Sequence, residues 1–175
     1  ERIQSSFDQE PEIFGTAITE MSAFVTEHEA LEAETSRALA EIVQRKDEEL
    51  RSQREQQATA RQAANSALAP LLATEMPKPI EEFLLGHWRD VLQHHARVSG
   101  RDSAPFRDGE AIAGDLVRSV APKRASADRK SQVATLPKLL EGLNRGLDLI
   151  GASPEARRLF MDSLIELQLA ALRGD

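Results

Sequence analysis

From Glu32 to Ala69 the sequence reads EAETSRALAEIVQRKDEELRSQREQQATARQAANSALA, without one glycine or proline. A run this long with no helix breaker, filled with Ala, Glu, Gln and Arg, has one regular structure open to it. Leu39, Ile42 and Val43 are apolar, but from Gln44 to Asn65 the only large apolar residue is Leu50. Such a helix holds by propensity and by opposite charges a turn apart, such as Glu48 with Arg51, rather than by burial. The pattern predicts a helix from about residue 29 to 68, roughly 60 Å long and standing partly clear of the core. It is either a solvated helix or hairpin arm, or a segment that another chain covers; its apolar positions are sparse for a coiled coil.

Upstream, DQEPEIFGTAITEMSAFVTEHEALEAE starts a helix of a different kind. Asp8 is placed to cap it, Pro11 sits where a first-turn proline is tolerated, and Glu10 and Glu12 suit its positive end. Ile13, Phe14, Ala17, Ile18, Met21, Phe24, Val25 and Leu31 recur at three, four and seven, the spacing of one buried stripe. Leu39, Ile42 and Val43 continue it.

Downstream the punctuation is clearer. Pro77 and Pro79 in ATEMPKPIEEF break the chain, and Pro79 opens a helix from about 79 to 98 that Gly100 stops. GRDSAPFRD reads as a loop leading into GEAIAGDLVRSVA, a helix closed by Pro122. KRASADRKS is a turn with a fresh cap in Ser126 or Asp128. In SQVATLPKLLEGLNRGLDLIG the apolar series runs Val133, Leu136, Leu139, Leu140, Leu143, Leu147 and Ile150. Pro137 makes this either a kinked helix or a turn followed by a helix. The glycines of its second half suit close approach of another helix. Ser153 caps the last helix, Pro154 takes its first position, and Leu159, Phe160, Leu164, Leu167 and Leu172 form its stripe. No strand pattern occurs.

The fold class is therefore all-α: a helical bundle with one long, partly protruding charged helix. Residues 1–76 form an acidic helical hairpin or arm with the long helix, and residues 77–175 a compact bundle packing on it, together one structural unit. Opening at Glu-Arg-Ile with Ile3 and Phe7 already at helical spacing, the chain reads as a piece of a larger protein. A 41 % apolar content with only 4 % aromatics puts the core on leucine and alanine. The net charge of −7 is uneven, with 15 acids against 7 bases in residues 1–76 and 14 against 15 beyond. That acidic first part argues against nucleic acid or an anionic membrane as partner. With no cysteine, disulfides, thiolate metal sites and cysteine nucleophiles are excluded. No apolar run approaches the roughly 20 residues of a membrane span, and no cleavable leader is evident, so the expected location is cytoplasmic.

Three of the four histidines and the sole tryptophan fall in GHWRDVLQHHARVSG. On a helical wheel Ile80, Leu84, Trp88, Val91, Leu92 and Val98 share an apolar face, with Phe83 at its edge and His95 near its middle. Phe83, Leu84, Trp88 and Val91 are the expected core anchors. His87, Asp90 and His94 lie on the border of that face, an array that could place two imidazoles and a carboxylate on one metal ion. Boundary histidines that pack a stem and point a nitrogen at water have the same pattern, and no Cys or HExxH accompanies this one. A second set, Arg118, Lys123, Arg124, Arg129 and Lys130, surrounds the proline turn and could grip a phosphate-bearing anion or nucleotide. An exposed interhelix loop has that composition too. No GxSxG, P-loop or dinucleotide glycine pattern is present, so no enzyme and no cofactor is expected.

PIEEFLLGHWRDVL, LVRSVAPK, LPKLLEGLNRGLDLIG and RLFMDSLIELQ, with the upstream SFDQEPEIFGTAITEMSAFVTEHE and the charged helix after it, resemble a known family. They are similar to the middle region of large, mostly helical bacterial proteins of the domain-of-unknown-function family numbered sixteen thirty-one. Some members carry a thymidine phosphorylase label, to which nothing in this sequence corresponds. Some end in a region similar to PilZ, the cyclic di-GMP receptor fold. The resemblance implies a non-catalytic interaction or scaffold module whose partners are proteins or other domains of its parent. Alternatively it implies a regulatory domain answering a nucleotide second messenger such as cyclic di-GMP, directly or through a neighbouring domain.

Overall fold

A computed structural model describes residues 10–122 and 126–173, and every regular element in these is a helix, with no strand among them. Helix α1 spans Glu10–Leu72, 63 residues, as one uninterrupted element. The predicted start near residue 29 and the hairpin alternative both give way to this single rod. Pro70 lies inside it, two residues before its end, where a lost amide removes only one of the last bonds. Asp8, Ile3 and Phe7 lie outside the described residues.

The chain divides into two units, Glu1–Ser52 and Gln53–Asp175, so the boundary falls within α1 rather than at 76/77. The reason is visible in burial. Every described residue from Phe14 to Thr59 is exposed, whereas Ala60, Ala63, Ala64 and Leu68 are buried. The stripe expected to be core is thus open to solvent: Phe14, Ile18, Met21, Phe24, Val25 and Leu31, then Leu39, Ile42, Val43 and Leu50, are 41–70 % exposed. In the first unit helix is kept by local interactions, including the pairs His28–Glu32, Glu41–Arg45 and Lys46–Glu49.

The second unit carries the core. After the break at Pro77, α2 (Lys78–Phe83) leads into a π turn, Leu84–Trp88, and then α3 (Arg89–Ser99). The Arg89 amide reaches back to the Leu84 carbonyl, the five-residue step of a π turn. One extra residue in a turn rotates all that follow by about 100° against a uniform wheel. That moves Val98 off the apolar face, and it is 65 % exposed, while Phe83 moves from the edge into the core at 3 %. Gly100, at φ 90°, ends α3 in a conformation that only glycine enters freely.

Helix α4 is Ala104–Val120 and begins inside the stretch read as a loop. Ser103 caps it by accepting the Phe106 amide at 3.3 Å, and Pro105 sits in its first turn. This turns Phe106 into a core residue. Helix α5 (Ser126–Leu149) contains Pro137 without interruption, and α6 (Pro154–Arg173) starts behind Ser153, whose Oγ accepts the Ala156 amide at 3.2 Å. Leu139, Leu143 and Leu147 of α5 and Leu164 of α6 are buried. Val133 and Leu159, placed on the stripes by spacing, are exposed.

Trp88 joins these helices. Its Nε1 donates to the Gly109 carbonyl of α4 at 3.0 Å, and its ring lies against Gly146 of α5. A Cβ on Gly146 would stand 2.6 Å from Trp88 Cζ3, so only glycine lets α5 come this close. Phe83 stacks on Phe160 of α6 with ring centroids 3.6 Å apart. Gln168 donates to Ser119 Oγ at 3.1 Å, so a buried polar pair also links α4 with α6. We expect Gly146→Val to cost about 1–3 kcal/mol, through overpacking against the indole. Urea denaturation read by the emission of the single tryptophan measures it, and an unchanged midpoint would show that the ring yields without loss.

Candidate functional site

Three places in the molecule offer themselves for recognition, two in the second unit and one in the first. The first is a cleft of 330 Å³ beside Trp88. Gly142 and Gly146 form one side of it, Val91 and Ile112 are apolar lining, and His95, Asp108 and Arg145 are its titratable groups. Its narrowness follows from the glycines: a Cβ on Gly142 would come within 2.7 Å of Ile112. Burial, and after it the neighbouring His94, hold the His95 imidazole below its ordinary value, while Asp108 pulls the other way.

The second is a polar cleft of 610 Å³. Gln53, Gln56 and Gln57 of α1 line it with Asp90, Gln93 and His94 of α3, and Arg97 and Ile150 complete it. Sequence reasoning missed these glutamines, although their spacing of three and one already puts them on one helix face. Asp90 and His94 therefore meet at one cleft. His87 does not join them in a ligand set; it stacks on Phe83 with centroids 5.9 Å apart. His94 turns its ring at 84° to that of His95, 6.1 Å away. Among the described residues no three His, Asp or Glu side chains gather where they could hold a metal ion.

The basic set is only partly described. Lys123 and Arg124 lie outside the described residues, as does the side chain of Arg129. Lys130 is exposed, and Arg118 is paired with Asp115 on its own helix. Phe83, Leu84, Trp88 and Val91 are all buried, at 0–3 % exposure, and of them only Trp88 and Val91 border the smaller cleft.

The third place is the apolar stripe of α1. Phe14, Ile18, Met21 and Val25 recur at alternating steps of four and three, and Leu39 and Ile42 fall on the same series continued by sevens. A strip from Phe14 to Leu50, about 54 Å long and about 10 Å wide, presents on the order of 500 Å². That is near the upper end of what a monomer leaves uncovered. Among the described residues no helix is long and apolar enough to cross a membrane.

Fold and surface together define an all-α helical bundle with an exposed apolar strip along a single helix. The family described as protein of unknown function (DUF1631), third domain, matches residues 50–165, about two thirds of the chain, and the chain belongs to that family. The match begins three residues before the compact unit does, so most of the α1 stripe lies ahead of it. No curated protein and no solved structure matches the chain.

His95 yields a pH prediction. Because its folded value is lowered, the unfolded chain takes up this proton first as acid is added. Its contribution is complete above the ordinary value of 6.5 and is lost as pH falls through that value. We expect His95→Gln to flatten the fall in denaturation midpoint between about pH 7.5 and 5.5 relative to the unsubstituted protein. An equal fall in both would show that His95 does not set this pH dependence.

Proposed function

We propose that this chain is a non-catalytic helical interaction module of a larger cytoplasmic bacterial protein. Its compact second unit is a rigid base, and the first part of α1 is the surface that engages a protein partner or another domain of the parent. One observation carries the reading: ten large apolar side chains from Phe14 to Leu50 are exposed along a helix. Water around such a strip is released when another surface covers it, at about 25 cal/mol per Å² removed. Neither cleft competes with it. The smaller one is walled by glycines that serve helix packing, and the larger one gathers hydrogen-bonding groups without a nucleophile beside a base.

Hydrogen exchange on the intact parent protein tests this. Amides of residues 14–50 are expected to exchange at least tenfold more slowly there than in a variant carrying Ile18→Asp and Val25→Asp, with residues 53–173 unchanged in both. Equal exchange in the two proteins would mean that nothing covers the stripe, and the interaction reading would fall.

A further inference from the structure

The α1 stripe has an internal symmetry that says what covers it. Taken by sevens, one series is Phe14, Met21, His28, Thr35 and Ile42, and the other is Ile18, Val25, Glu32, Leu39 and Lys46. These are the two seam positions of a heptad. Apolar residues fill the seam from Phe14 to Val25 and again at Leu39 and Ile42, Lys46 closes it, and its middle is polar. His28 and Glu32 pair there within the helix, Nε2 to Oε1 at 3.3 Å.

We propose that this segment of α1 pairs antiparallel with the same segment of a second copy of the chain, the two-fold axis passing near Ala30. The proposal rests on the reading of the stripe as an interaction surface and names its occupant. In an antiparallel pair each residue of one seam series faces the other series. With the axis at residue 30, Phe14 meets Lys46, Ile18 meets Ile42, Met21 meets Leu39, Val25 meets Thr35, and His28 meets Glu32. Ile18–Ile42 and Met21–Leu39 are the wholly apolar layers, each formed twice, and the polar middle becomes two facing His–Glu pairs. Sliding by one heptad leaves one kind of apolar layer, Phe14 on Leu39 or Val25 on Ile42, so this register matches the most apolar positions.

Charge selects the direction. A parallel pair would set Glu32 against its own copy and Lys46 against its own copy, like-charge contacts in the seam. The antiparallel pair sets Glu32 against His28 of the other chain instead. A polar layer of this kind sets register and direction at some loss of stability.

The absence of cysteine makes the test clean. Light scattering on the 175-residue chain at on the order of 100 µM is expected to give twice its mass of 19.3 kDa. Met21→Lys, an exposed site whose change leaves the second unit folded by circular dichroism, is expected to weaken the dimer at least tenfold. Single-cysteine chains then read direction. A mixture of Ile18→Cys and Ile42→Cys is expected to form the mixed disulfide, with little from Ile18→Cys alone. Bridging of Ile18→Cys to itself would overturn the antiparallel arrangement. A monomer at that concentration would overturn self-pairing. If the monomer's stripe is nonetheless protected in the parent protein, the interaction reading survives with a different occupant; if it is unprotected there, both fall.

Discussion

The indole of Trp88 sits where the π turn, α4 and α5 meet, and the second unit is arranged around it. Its hydrogen bond to the Gly109 carbonyl contributes about 0.5–1.5 kcal/mol net. Burying roughly 150–250 Å² of ring is worth about 4–6 kcal/mol, so packing outweighs the bond, which mainly sets the ring's orientation. That orientation explains the neighbours. Gly146 has no side chain because the ring occupies its space, and the π turn that ends at Trp88 sets the angle at which Trp88, Val91 and Leu92 face the core together with Phe83.

The first unit is built the opposite way. From Phe14 to Thr59 nothing is buried, so helix there depends on alanine and long polar side chains, and on pairs one turn apart worth about 0.2–0.5 kcal/mol each. Tertiary burial begins only at Ala60. One helix therefore serves two purposes: its last turns are part of a core, and its earlier turns present an apolar strip between acidic edges. Covering that strip would supply the stabilisation that the core does not extend to it.

Much of this was legible in the residues. Ser153 with Pro154, Pro77 and Gly100 mark element ends by local chemistry that tertiary structure does not override. The glycines of α5 pointed to a close approach, and Ile112 and Trp88 are what approaches. The start of α4 carried the same Ser-and-Pro cue as α6, in Ser103 and Pro105, yet Gly109 and the polar run before it obscured it. The π turn left no such mark, and Val98 was misplaced because spacing assumes a uniform rotation. Phe14 to Val43 shows the deeper reason. Periodicity reveals which side chains share a face, but the same period serves a core and an interface, and only the fold tells whether its own helices cover that face. The buried alanines 60, 63 and 64 were silent for the converse reason, since alanine is equally common on solvated helices.

What most directly tests this division of labour is the urea denaturation of residues 53–175 alone, followed by Trp88 fluorescence beside the 175-residue chain. All buried residues of the core lie at or after Ala60, so the shorter chain should unfold cooperatively at the same midpoint. A clearly lower midpoint, or loss of the cooperative transition, would mean that the seat of Trp88 depends on the first fifty residues, and the separation of core from interaction surface would be wrong.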